Sequence, residues 1–229
     1  MIAIFLLPLI LFPAILSGQT IPLTASQNPI PVKLLEPPLD SSWHPFIDPE
    51  RQDRLTETQL EAERKKLSEH LKPHWILKPD LLQSDGQGPS LETKKLFQDF
   101  DLEMDWLIPP LGDTVLFLKG VPGPRFWDFK KGQPEGAQKG SGGLFLNKRF
   151  SPHPKQLADK PVGEWNKTKI RMRGDRVTLW LNGQLVVDSV PLENSWDRRK
   201  PLPSKGSVGF QSRGVPLQVR GMTIHLLEP

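Results

Sequence analysis

The chain has 229 residues, 37% hydrophobic and 24% charged, with a formal net charge of +4. That composition is globular, and the length suits one all-β domain or two small domains. Cysteine is absent, which excludes disulfides, thiolate metal sites and cysteine nucleophiles. The basic excess is spread among acidic residues, and its densest run, Arg198-Arg199-Lys200, is short and flanked by proline. A nucleic-acid binder would gather such charge on one face or arm, so no nucleic-acid partner is expected.

Met1 to Leu16 is almost wholly apolar and is followed by the small residues Ser17 and Gly18. This pattern predicts a secretory signal peptide over 1–18 and a secreted or periplasmic protein. The run is short for a membrane span and is interrupted by Pro8 and Pro13. It also lacks a basic residue at its start, so an uncleaved anchor is the rival reading, and membrane contact is expected only through it. Residues 19–50 are rich in proline and read as a linker that runs into the first irregular layer of a domain over 51–229.

Residues 54–71 carry sparse leucines among charges, with Thr56 and Gln59 spaced as a capping box and Pro73 beyond the end. They predict one short, mostly solvated N-terminal helix. From Trp75 the period changes to two. Phe100, Leu102, Met104 and Trp106 alternate with Asp101, Glu103 and Asp105, which predicts a half-buried strand. Thr114 to Lys119 and Gly143 to Asn147 predict two more. Trp165 to Arg173, Arg176 to Leu181 and Gln184 to Asp188 predict a three-stranded meander, its second turn marked by Asn182-Gly183. Ser207 to Gln211 and Leu217 to Leu227 complete the set, and a phase change near Gly221 predicts a β-bulge. Many short strands with Gly/Pro turns imply a β-sandwich or barrel.

No G-x-S-x-G elbow, P-loop or Rossmann fingerprint is present. His70 and His74 are four apart, but Pro73 between them breaks the helical geometry that a metal pair needs. No metal site is expected.

A series of short motifs stands in a fixed order. It includes Asp99-Phe100-Asp101-Leu102-Glu103, Gly112-Asp113-Thr114, Phe117-Leu118-Lys119-Gly120, Trp127-Asp128 and Gly140-Ser141-Gly142-Gly143-Leu144. Gly163-Glu164-Trp165-Asn166, Leu181-Asn182-Gly183-Gln184, Trp196-Asp197-Arg198 and Gly209-Phe210-Gln211 follow. Over residues 75–227 this order resembles the 3-keto-disaccharide hydrolase family. The resemblance implies a two-sheet, concanavalin-like jelly-roll β-sandwich and cleavage of 3-keto-glycosides. A ketone at C3 acidifies the C2 proton, so a base can form an enolate that expels the group on C1, and water then adds back. Such a site needs a base, a donor for the enolate oxygen and an acid for the leaving oxygen, and no cofactor.

On that resemblance Asp128 is the expected base and Arg125 the expected enolate donor. Trp127, Lys119, Asn147, Gln211 and Arg213 are expected to bind a carbohydrate substrate. Two of these also suit a structural role, Asp128 tied to a turn or an arginine and Trp127 in the core. The chain departs from the usual family pattern at Val115, Arg125, Ser212-Arg213 and Arg220-Gly221-Met222. A non-catalytic carbohydrate-binding module of the same fold is therefore the alternative reading.

Overall fold

The computed structural model describes residues 30–129 and 140–228. The predicted leader over 1–18 lies outside the described residues. No helix among the described residues is long and apolar enough to cross a membrane.

Two antiparallel sheets face each other. The larger is built from β1 (Val32–Lys33), β3 (Trp75–Lys78), β4 (Leu81–Ser84), β6 (Phe100–Leu107), β9 (Asn166–Arg173), β10 (Arg176–Leu181), β11 (Gln184–Pro191) and β13 (Leu217–Leu226). Its order is β11-β10-β9-β6-β13-β4-β3, with β1 also on β13. The smaller sheet contains β2 (Trp43–Pro45), β5 (Leu91–Thr93), β7 (Asp113–Leu118), β8 (Val121–Trp127) and β12 (Gly209–Phe210), in the order β2-β5-β12-β7-β8. The all-β jelly-roll sandwich expected from the sequence is the fold observed.

The period-two pattern explains the core. Phe100, Leu102, Met104 and Trp106 point inward from β6, and Leu116, Leu118, Phe126 and Phe210 meet them from the smaller sheet. Trp106 stacks on Phe126 with ring centroids 4.7 Å apart and donates its indole N–H to the Thr168 hydroxyl at 2.9 Å. The polar half of β6 faces outward into a ladder of ion pairs. Arg171 grips Asp101 with two bonds, Lys169 reaches Glu103 at 2.9 Å and Arg220 reaches Asp105 at 3.2 Å. Burial pushes the Asp101 carboxyl up, but the bond and charge of Arg171 outweigh it and hold the group below its ordinary value. The meander β9-β10-β11 forms as expected, and the register slip between Arg220 and Thr223 places the bulge at Gly221, whose φ is +62°.

The predicted helix is α3 (Glu57–Leu71), with the Thr56 and Gln59 capping box formed. Two shorter helices precede it, α1 (Leu39–Ser42) and α2 (Pro49–Asp53). Replacing Thr56 with Ala removes one half of the box, and an equilibrium urea titration should register a loss of about 1 kcal/mol.

Three elements differ from expectation. Residues 30–50, read as part of a linker, are woven into the domain: β2 pairs with β5, and Trp43 is 1% exposed and donates its indole N–H to the Leu34 carbonyl. Residues 143–147 are not a strand. They run beside the stretch of β8 that holds Pro122 and Pro124 and bridge it at Leu144, where Arg125 donates its N–H to the Gly143 carbonyl and accepts the Gly142 N–H. That same proline-rich stretch forms β8, which the turn-like sequence concealed; it lies at the end of its sheet, where prolines are tolerated.

Candidate active site on the outer face of the smaller sheet

The side chains of the smaller sheet that point away from the core form two groups. The first lies where β7 and β8 begin and end. Arg125 binds Asp113 through Nε and Nη2, both at 2.9 Å, and Arg213 donates Nε to the same carboxylate at 2.9 Å. Arg213 also donates to the Gln211 side-chain carbonyl at 3.0 Å. The Arg125 guanidinium lies 4.0 Å from the centre of the Trp127 ring, and Phe145 flanks both arginines. Four of the residues expected from the sequence, Arg125, Trp127, Gln211 and Arg213, are therefore brought together. They leave little for a ligand: both guanidiniums are engaged by Asp113, and Arg125 covers the ring of Trp127, itself 8% exposed.

The other three sit elsewhere. Asp128 accepts the Leu111 N–H at 3.0 Å and gives its own N–H to the Gly112 carbonyl, so it braces the turn into β7. Lys119 sends its ammonium under the β7–β8 hairpin to the Gly174 carbonyl at 2.7 Å and to Asp99 at 3.4 Å. Burial lowers its pKa, and Asp99 partly opposes that shift. Asn147 donates to the Pro191 carbonyl at 2.8 Å and accepts the Glu193 N–H at 3.1 Å. Glu193 in turn accepts the N–H groups of Lys148, Arg149 and Phe150 and pairs with Arg198 at 2.6 Å. This knot fixes the 194–200 loop, and the Trp196 indole N–H closes it onto the Gly120 carbonyl at 2.9 Å.

The second group was not foreseen. A cleft of about 1660 Å³ opens between α3, the β2–β5 side of the sheet and the 194–200 loop. Phe46, stacked on Phe117 at 4.4 Å and on Trp196 at 5.8 Å, forms one wall. On its floor are His44 from β2, Glu92 from β5 and Ser207. Strand register puts them there, since His44 pairs with Glu92 and Glu92 with Gly209. Gly209 is needed for this approach, because a Cβ there would lie 2.2 Å from the Leu91 carbonyl oxygen.

Glu92 is 7% exposed and accepts a hydrogen bond from the Ser207 hydroxyl. Burial pushes its carboxyl up to about 7, against the opposing pull of Ser207 and of the Arg64 charge. His44 Nε2 lies 3.8 Å from the Glu92 carboxyl. Burial first, and the Arg64 charge next, hold the imidazole below its ordinary pKa. Its Nδ1 lies 3.1 Å from the Pro45 carbonyl oxygen. A carbonyl only accepts, so the neutral ring carries its proton on Nδ1 and presents a lone pair at Nε2. The environment thus favours an uncharged acid and an uncharged base side by side. Among the described residues no group of three or more His, Cys, Asp or Glu is placed to hold a metal ion.

The fold is a two-sheet sandwich with His44 and Glu92 side by side in an open cleft. The chain belongs to the 3-keto-alpha-glucoside-1,2-lyase-like domain family, which it matches over residues 58–225. No curated protein matches it. Among solved structures it is similar to a "putative glycosyl hydrolase" from Parabacteroides distasonis, at 19% identity and a TM-score of 0.55, covering 67% of this chain and 74% of that one. A second protein of the same description and organism gives 17% identity and a TM-score of 0.52, covering 81% of this chain and 99% of the other. At these identities the likeness is one of fold.

Proposed function

We propose that this is an exported glycoside-processing enzyme that cleaves 3-keto-glycosides in the cleft by β-elimination and hydration. The observation that carries the reading is the pairing of His44 and Glu92, two groups whose environments favour their uncharged forms near neutral pH. Family membership supports a glycoside substrate, and the apolar leader supports export.

In this reading the His44 Nε2 lone pair takes the C2 proton of the sugar, and the electrons move into an enolate on the C3 oxygen. The enolate collapses, the C1–O bond breaks, and the Glu92 acid gives its proton to the departing oxygen. The Glu92 carboxylate then takes a proton from water as that water adds to C1, and the His44 imidazolium returns its proton to C2. Both residues end as they began, and the net change is hydrolysis. No hydride carrier takes part.

Incubation with a 3-keto-disaccharide and with its unoxidised parent tests this, with sugar release followed by mass spectrometry. Release from the keto form alone is expected. Release from neither form, or from both at equal rates, would overturn the mechanism.

The non-catalytic sugar-binding reading is favoured by one observation. Arg125, Arg213 and Asp128, where the resemblance puts chemistry, all have structural partners. Saturable binding of the keto sugar without release is its signature.

A further inference from the structure

Two side chains that line the cleft each carry a buried polar atom with no partner. The Nε of Arg64, on the α3 wall, is buried without a hydrogen bond, and so is the Oγ of Ser195 on the facing loop. A buried donor left unmatched costs about 1–3 kcal/mol, more when it is charged, and such groups are uncommon in folded proteins. Arg64 lines the same cleft as His44 and Glu92, and its charge lowers the pKa of both. Among the described residues no carboxylate lies within 4.0 Å of its guanidinium.

The rim continues the pattern. Lys65 and Lys205 line the cleft and likewise have no carboxylate within that distance among the described residues, while Lys94 points its ammonium at the Asp40 carbonyl. Of the rim carboxylates, Glu50 is paired with Arg54 and Asp197 with Arg199, which leaves Asp53 and Glu61 as counter-charges. Four cations without an acidic partner against two such anions leave the cleft with a positive excess, greatest at the half-buried Arg64.

We propose that the cleft takes a glycoside bearing an anionic substituent, a uronate carboxylate or a sulfate ester, held by Arg64 with Lys94 and Lys205 at the rim. This rests on the cleft being the sugar site proposed above, and it narrows the substrate from glycosides in general to acidic ones. The Nη groups of Arg64, with no carboxylate within 4.0 Å among the described residues, present parallel N–H donors that match two oxygens of a carboxylate or sulfate. The lysines raise the local concentration of an anion without fixing its orientation.

Calorimetric titration of the full chain with methyl glucoside, methyl glucuronide and methyl glucoside 6-sulfate tests the subsite without relying on turnover. At low ionic strength at least one acidic sugar should bind about tenfold or more tightly than the neutral one, and whichever does so identifies the substituent. The preference should shrink at high salt and largely disappear in Arg64→Gln, with a smaller loss in Lys205→Gln, which changes only an exposed residue. Equal affinity for all three sugars would overturn the proposal. So would an Arg64→Gln variant that weakens neutral and acidic sugars alike, since Arg64 would then serve the sugar ring or the enolate oxygen. An acidic preference without release from any 3-keto-glycoside would keep the subsite and sink the catalytic reading. Release without an acidic preference would do the reverse.

Discussion

Replacing Glu92 with Gln should reduce sugar release from a 3-keto-glycoside by about 10²–10⁴-fold, the usual contribution of a positioned acid or base. Gln has the shape of the protonated carboxyl and can still accept the Ser207 hydroxyl, so the fold should survive and only the proton should be lost. The pH profile carries the sharper result. Release requires His44 without its extra proton and Glu92 with its own. His44 is held below its ordinary 6.5, and Glu92 is raised to about 7. The rate should therefore rise with pH through the His44 transition, pass an optimum on the acid side of neutrality, and fall through about 7. In Glu92→Gln the residual rate should keep the acid limb and lose the alkaline one. An alkaline limb that persists there belongs to some other group and would remove Glu92 from the acid's role. His44→Asn should erase the acid limb in the same way.

The same carboxyl should make the protein less stable as the solution becomes alkaline. Folded Glu92 keeps its proton up to about 7, whereas in the unfolded chain it would lose it near 4.5. Between those values the native state binds more protons than the unfolded state, so unfolding free energy declines as pH rises. The contribution is present in full below about 4.5 and lost above about 7, a change of about 3 kcal/mol. His44 works in the opposite sense, because its folded pKa is lowered and protonation disfavours the native state as pH falls. Urea unfolding of the wild type from pH 5 to pH 8 should show the decline, and Glu92→Gln should remove it while keeping the His44 slope. An unchanged decline in that variant would show that the buried proton is not on Glu92. Taken together, the two experiments ask whether a carboxyl that is costly to ionise is retained for chemistry.

The fold was largely legible because alternation is a direct consequence of one-sided burial. Phe100 to Trp106, the meander over 166–191 and the bulge at Gly221 follow from side-chain period and turn chemistry alone. The N-terminal strands were not legible. β2 has three residues and ends in proline, and its strand character comes from pairing with β5, far along the chain. The same physics hid the candidate site. His44 lies in a segment that looked like a linker, Arg64 on a helix that looked solvated, and Glu92 in a three-residue strand. One local signal was available: an acid between Leu91 and Thr93, in a run whose neighbours belong inside. The motif residues Arg125, Gln211 and Arg213 did converge, but their convergence produced an ion-pair cluster around Asp113. Which of a set of charged neighbours satisfy one another is decided by geometry that residue order does not encode.

The segment laid along β8 has a consequence for the molecule among its own copies. A terminal strand with a row of free N–H and C=O groups is a template on which another chain can add a strand. The outer side of β8 is covered by residues 141–144, which accept the N–H groups of Arg125 and Trp127, and at the opposite end of the same sheet β2 is only three residues long and closes on Pro45. In the larger sheet, β11 has two irregularities in its pairing and ends at Pro191, while β3 stops after four residues before Pro79. All four rims are thus poor templates. Strand-on-strand polymerisation between copies is thereby disfavoured at every rim.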